Sequence, residues 1–442
     1  MGETCSQWID VAQLRRGFFI QLELSWMEHP FSKSSFKITS DDQIKTILSM
    51  GLSQVRYFPD QSDIPADSPP GPLAEPKIYP HQDSVARVPD SAGSFPSHLC
   101  EAEILRCQRL DRLADQQRSL AICERRFGEA TQQYRRVVEQ ASSCAVQMRE
   151  ESTALVAGCV NDILAEGESA IRLLSEAMGE RSAAHPVNVM VVSLLLGKAL
   201  GLPAAILTDL GLAALLHDLG KVQMAERMRY QDPGFSVSEQ LVYQEHVEHS
   251  LVMGRRMGLS EEVLQSIAQH HELVDGSGFP AGLEGANLSA SSKILALVNR
   301  YDNLCNPPRL INAMTPHEAL SVIFTQMKAR FDAVTLGAFI RMMGVYPPGS
   351  VVQLLNGSYA MVVSVNSNRP LKPCVIVFDA SVPRDEALMV DLEHAPELGI
   401  RRSLKPSQLP RAVQDYLSPR QRVAYFFERV VSTNWTGDLD VA

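Results

Sequence analysis

Apolar and polar positions divide the 442-residue chain into stretches of different period. Near the N-terminus, Ile20-Gln-Leu22-Glu-Leu24-Ser-Trp26 alternates with period two, the pattern of a half-buried strand. Ser40 to Gln43 forms a capping box ahead of Ile44, Ile47 and Leu48, and Gly51 stands where a C-cap belongs. Val55 to Phe58 reads as a second strand. Residues 1–60 are therefore expected to be a small α/β domain, either a docking unit or a ligand sensor. Residues 61–98 are expected to be a linker, because the stretch from 59 to 98 holds nine of the 26 prolines.

From 99 to 150 the chain is polar with a helical period. Leu113, Leu120, Phe127 and Tyr134 recur every seven residues, with Cys123, Ala130 and Val137 at the alternate positions. That pattern suits one amphipathic helix packed on its own domain, or a coiled-coil seam for a homodimer. Residues 151–345 read almost wholly as helix, built around the apolar run 210–216, a helix opened by Ser260, and another over 294–304 stopped by Pro307-Pro308. Residues 346–442 change period again. Two strands flank an Asn356-Gly357 turn, Val375–Phe378 adds a third, and 410–432 reads as a closing helix. The fold class expected is mainly α, with a small N-terminal α/β domain and a short C-terminal β appendage.

A net charge of −10 argues against a general nucleic-acid binder. No apolar run reaches the roughly 18 residues of a membrane span, and the N-terminus lacks a signal-peptide pattern, so a cytoplasmic location is expected. The eight cysteines form no C-x-x-C pair, so reduced thiols are expected.

The chemistry concentrates in the third stretch. Six of the 11 histidines lie between 185 and 271. The apolar run ends in His217-Asp218, followed by Lys221. A second pair, His270-His271, closes the helix begun at Ser260, and His185 and His246 complete the set; His249 competes with His246. Burying such groups without partners is unfavourable, and a cation would offset that. Imidazole and carboxylate suit Zn, Fe or Mn. Five imidazoles and one carboxylate exceed the needs of one structural zinc and suit a dinuclear site. Adjacent on one helix, His217 and Asp218 would diverge by about 100°, fitting two metals or a bridging carboxylate, with Lys221 one turn beyond His217. Two metals about 3.5–4 Å apart activate water and clamp a phosphoryl group, so phosphoester hydrolysis is the natural chemistry.

H-D-x-G-K at 217–221 and H-H-E-x-x-D-G-x-G-F-P at 270–280 resemble the HD-GYP domain of bacterial signalling phosphohydrolases, with Phe279 in place of Tyr. Residues 1–60, with Gly17-Phe18, Trp26 and His29-Pro-Phe31, are similar to the domain that often precedes it. The resemblance implies an all-helical HD-superfamily core and hydrolysis of cyclic di-GMP to pGpG or GMP. It implies two divalent ions, Fe or Mn, held by His185, His217, Asp218, His246, His270, His271 and position 299, with Asp218 and Lys221 serving catalysis. Asp275, Gly276, Gly278, Phe279 and Pro280 would form a loop that contacts substrate or a diguanylate cyclase (GGDEF) partner. This chain departs from the pattern at Asn299, where the family has Asp. It departs also at Arg181, where three-metal members have Glu, and at Pro308 and Ile311, where the family places phosphate-binding cations; Arg309 stands beside them as a substitute. A degenerate domain that binds nucleotide or protein without hydrolysis is the alternative expectation, and another nucleotide phosphohydrolase a third.

Overall fold

The computed structural model describes residues 7–22, 35–49, 52, 54–63, 101–165, 168–175, 181–232, 234–366 and 369–429. Trp26, His29 to Phe31, Gly51, most of the proline-rich segment and residues 430–432 lie outside them. The chain divides into two units, Met1–Cys107 and Gln108–Ala442.

In the first unit, β1 (Gln7–Asp10), β2 (Phe19–Gln21), β3 (Ser35–Lys37), α1 (Asp41–Ser49) and β4 (Gln54–Tyr57) build a four-stranded sheet in the order β1-β4-β2-β3. All its pairings are antiparallel. The expected capping box forms: Gln43 N–H donates to Ser40 Oγ, and Ser40 N–H to Gln43 Oε1. Phe18, Ile20, Ile47, Val55 and Tyr57 close the core.

A long helix, α2 (Glu101–Gln140), leads to α3 (Ala145–Leu164), β5 (Ser169–Leu173), α4 (Arg181–Ala199) and α5 (Ala204–Leu216). Helix α5 is buried from Leu210 to Leu216, as its apolar composition on every face demands, and it packs against α3, α4, α7 and α8. The bundle continues with α6 (Val237–Met257), α7 (Glu261–Ala268), α8 (Ala290–Cys305), α9 (Pro316–Gln326) and α10 (Ala333–Met343). Strands β6 (Val351–Leu354), β7 (Tyr359–Asn366), β8 (Cys374–Val377), β9 (Met389–Asp391) and β10 (Ile400–Leu404), the short helix α11 (Arg411–Leu417) and strand β11 (Tyr425–Arg429) complete the chain. The fold is mainly α. Among the described residues no helix is long and apolar enough to cross a membrane.

The structure refines three expectations. The heptad positions Cys123, Phe127, Ala130, Tyr134 and Val137 are buried within the chain's own unit, so that half of the helix offers no seam to a second copy. The closing helix ends at Leu417, because Tyr425-Phe-Phe is a β-prone aromatic run that pairs antiparallel with β5. The C-terminal strands form as expected, and β5, from within the helical stretch, joins them: β10-β6-β7-β5-β11 make a seven-stranded sheet with β8 and β9.

Arg126 ties these layers together. It is 1% exposed, pairs with buried Asp162 on α3, and its guanidinium lies 5.2 and 5.4 Å from the rings of Phe426 and Phe427 on β11. Arg126→Ala would leave the Asp162 carboxylate buried and uncompensated. It should lower stability by about 3–5 kcal/mol, read from the urea unfolding midpoint of Gln108–Ala442, and a change within error would refute the account.

Candidate metal centre

Helix α5 stops at Leu216, with His217 as its C-cap, and a 3-10 turn over Leu219–Gln223 follows. Lys221 therefore does not continue the face of His217. It folds back, and its Nζ lies 2.5 Å from Asp218 Oδ2. The turn lies hard against α6. A Cβ at Gly220 would stand 2.3 Å from Ser250 N and 2.4 Å from His246 O, so glycine is required there. Ser250 Oγ accepts from Gly220 N–H and donates to His217 O, both at 2.8 Å. The helix that carries His246 thus also locks the His217-Asp218 turn.

Ser260 caps α7 as expected, accepting from Val263 N–H, and the chain past Ala268 turns to present His270 and His271. Glu272, buried beside them, accepts from Ala281 N–H at 2.7 Å and Leu283 N–H at 2.9 Å and so pins the loop that follows. A Cβ at Gly278 would meet Glu272 Cα at 2.5 Å and His271 O at 2.6 Å, and Gly276 has a φ of +73°. Phe279 stacks on His271 with centroids 4.3 Å apart. Asp275 accepts from the N–H and Oγ of Ser277, so its carboxylate organises the turn. Pro280 is exposed at the loop's end.

The structure brings His185, His217, Asp218, His246, His270 and His271 to one point. Two sets of candidate ligand atoms each lie within 4.8 Å of one another: His185, His217 and Asp218, and Asp218, His246, His270 and His271. Asp218 belongs to both. Its Oδ2 lies 3.6 Å from His185 Nε2 and 3.4 Å from His217 Nε2, and its Oδ1 lies 3.6 Å from His246 Nε2 and 3.8 Å from His270 Nε2. His249 lies outside both sets.

Four of the five rings are oriented from behind. Nδ1–H of His217 donates to Ala214 O (2.8 Å), that of His246 to Tyr243 O (2.5 Å), and that of His270 to Ile267 O (2.6 Å). His185 Nδ1 donates to Asp302 Oδ2 at 2.5 Å. With Nδ1 protonated, each of these four Nε2 atoms turns a lone pair to the centre. His246 and His270 bring two such nitrogens within 3.3 Å. Lone pairs facing at that distance repel. His185 Nε2, His217 Nε2 and Asp218 Oδ1 are buried with no hydrogen-bond partner among the described residues. Cations satisfy both demands, and the donor set of imidazole and carboxylate fits divalent ions.

The electrostatics agree. Burial lowers the pKa of His185, brings His246 down to about 4, and holds His270 and His271 well below the usual imidazole range. These rings are therefore in the neutral form that binds metal. Burial alone would raise Asp218, but His217 and Lys221 outweigh it and hold the carboxyl well below its ordinary value. Lys221 is raised, the attraction of Asp218 overcoming its burial.

Two further expected site residues line the adjoining cavity. Asn299 is buried on the wall of the adjoining cavity, and its Oδ1 accepts from Asn303 Nδ2 at 2.7 Å. Arg309 lines the same cavity but is ion-paired with Asp232 at 2.8 Å.

Asp302 and its partners escaped the sequence reading. Its Oδ1 accepts from Asn188 and from Asn306, the latter at 2.8 Å. Asn188 and Asn306 in turn hold β11, through Tyr425 N–H and through Val423 N–H and O. The signal was present as polar residues at helical spacing on apolar helices: His185 and Asn188 on α4, and Asn299 and Asp302 on α8, with Asn306 at its C-cap. Asp302→Asn would place an amide N–H among three donors. It should weaken Mn binding about 10–100-fold by calorimetry while the chain stays folded; unchanged affinity would show that Asp302 does not orient His185.

Comparison with known proteins places this geometry. Residues 167–334 match the HD domain, residues 6–151 a domain of unknown function (DUF3391), and residues 351–412 a KOW domain associated with HD domains. The chain is 26% identical over 381 residues to a cyclic di-GMP phosphodiesterase of Pseudomonas aeruginosa, covering 84% of each chain. It is 26% identical over 167 residues to 3'3'-cGAMP-specific phosphodiesterase 1 of Vibrio cholerae, covering 38% of this chain and 39% of the relative. Against a cyclic di-GMP phosphodiesterase of Borreliella burgdorferi it is 22% identical over 191 residues, covering 43% and 50%. With the His-Asp turn, the paired histidines and the glycine-pinned loop assembled around one carboxylate inside the segment that matches the HD domain, the chain carries an HD domain and is similar to phosphodiesterases of this kind.

Proposed function

We propose that this protein is a metal-dependent phosphodiesterase that hydrolyses cyclic di-GMP to pGpG or GMP. The observation that carries the reading is Asp218: its two oxygens face two separate sets of imidazoles, the arrangement of a carboxylate bridging two cations. His185 and His217 would hold one ion and His246, His270 and His271 the other. Iron or manganese suits these ligands. Such ions supply Lewis acidity toward water and phosphoryl oxygen.

The chain's own residues do the rest. Lys221, held by Asp218 at the mouth of the cluster, offers an ammonium to the charge that develops on the attacked phosphate. Tyr243 packs with its ring 5.6 Å from Lys221 Nζ and 4.8 Å from the His246 ring, keeping water from that side. A cavity of about 810 Å³ opens onto His270, His271 and Lys221, room for a dinucleotide. At position 181 a guanidinium stands in place of the carboxylate that a third metal would need, which favours two ions. Asn299, a neutral oxygen already engaged by Asn303, gives that side of the site no charge. The exposed part of the Asp275–Pro280 loop is the surface we assign to a GGDEF partner.

Mn-loaded protein should bind about two metals per chain and convert cyclic di-GMP to pGpG. Asp218→Ala should lose both metal and turnover. Wild-type protein with fewer than two metals and no turnover would defeat the reading. In a panel that includes 3'3'-cGAMP, cyclic di-GMP should be the faster substrate. Asn299→Asp should tighten metal binding on the order of 10-fold; no change would mean that position 299 does not contact a metal.

A further inference from the structure

Six basic side chains face the cavity: Arg181, Lys221, Arg227, Arg300, Arg309 and Arg330. Three of them have carboxylate partners. Lys221 pairs with Asp218, Arg227 with Glu239 and Arg309 with Asp232. Arg181, Arg300 and Arg330 have no carboxylate in ion-pair range among the described residues. Arg300 and Arg330 are exposed, but Arg181 is half-buried and fixed. Its Nε donates to Asn306 O at 2.7 Å, and one terminal nitrogen donates to Asn303 Oδ1 at 3.1 Å. Its guanidinium lies 4.4 Å from the centroid of Tyr230, a ring whose centroid is also 6.0 Å from Lys221 Nζ.

Every acceptor that holds Arg181 is neutral. The positive charge is therefore immobilised, partly desolvated and left uncompensated, with the second terminal nitrogen free of a protein acceptor among the described residues. Maintaining such a cation is unfavourable unless an anion arrives to meet it. A planar, preoriented guanidinium matches a phosphate's oxygens. Its place is equally informative. Arg181 precedes His185 by one turn on α4, so the two share a face and stand side by side. Lys221, near the same Tyr230 ring, is already paired with Asp218, and the proposed mechanism assigns it to the phosphate under attack.

We propose that Arg181 anchors the second, unattacked phosphate of a cyclic dinucleotide, and that the Asn303, Asn306 and Tyr230 contacts exist to aim it. This rests on the phosphodiesterase reading and adds to it the residue that distinguishes a substrate with two phosphates from one with a single phosphate.

The test compares wild type with Arg181→Met and Arg181→Lys, all full-length and Mn-loaded, on cyclic di-GMP and on bis(p-nitrophenyl) phosphate, which has one phosphate. Arg181→Met should raise KM for cyclic di-GMP roughly 10–100-fold with much less change in kcat. Its loss on bis(p-nitrophenyl) phosphate should be at least roughly tenfold smaller. Arg181→Lys, which keeps the charge, should recover part of the lost affinity. Equal losses on both substrates, an unchanged KM, or a fall in bound metal would overturn the proposal. Should wild type turn over neither compound, the hydrolase reading falls, and titration with pGpG decides for Arg181 alone. Binding weakened roughly tenfold in Arg181→Met supports the anchor, and equal binding overturns it.

Discussion

A single carboxylate, buried where no solvent can screen it, organises this molecule. Asp218 receives an ammonium on one oxygen and turns both oxygens toward imidazole nitrogens. Without cations, the centre places unsatisfied lone pairs face to face in a largely buried site. The surrounding helices hold that arrangement because their own packing outweighs it. Leu210 to Leu216 are buried on every side, and α6 locks the turn through Ser250 and the close approach at Gly220. Local electrostatic discomfort kept in place by apolar burial is what makes the site receptive to divalent ions.

The same logic extends outward. Asp302 fixes His185, Asn188 and Asn306 fix Asp302, and both asparagines grip the start of β11. Strand β11 presents Phe426 and Phe427 to Arg126, which pairs with Asp162. An unbroken series of hydrogen bonds and ring contacts therefore joins a ring at the metal centre to the long helix α2. The seven-stranded sheet belongs to this support, which explains why it recruits β5 from within the helical stretch.

The cavity beside the centre is basic in a protein that is acidic as a whole. Its cations differ in kind: some are neutralised by neighbouring carboxylates and serve the wall, while others remain available to an anionic ligand. The changes at 181 and 299 act together, since Arg181 donates to Asn303 and Asn303 to Asn299. At positions 181 and 299 this side of the cavity therefore carries a positive and a neutral group, joined through Asn303.

Much of this was legible in the order of residues. Period and capping placed the helices from Ser260 and at 294–304. The clustering of six histidines, and the glycines beside two motifs, identified the chemistry before any coordinates. Those signals are local, and local periodicity survives in one dimension. The fate of α2's heptad face, of Tyr425-Phe-Phe and of Lys221 was not legible, because each depends on what stands opposite in space. An apolar stripe does not say whether its partner is a second chain or its own β11. A cation one turn past a histidine does not reveal that the helix ends first. By itself the sequence determined which groups could bind metal and phosphate; only tertiary structure decided that one carboxylate would serve two sets of imidazoles and that Arg181 would stand without a counter-charge, since both are facts of convergence between segments far apart along the chain.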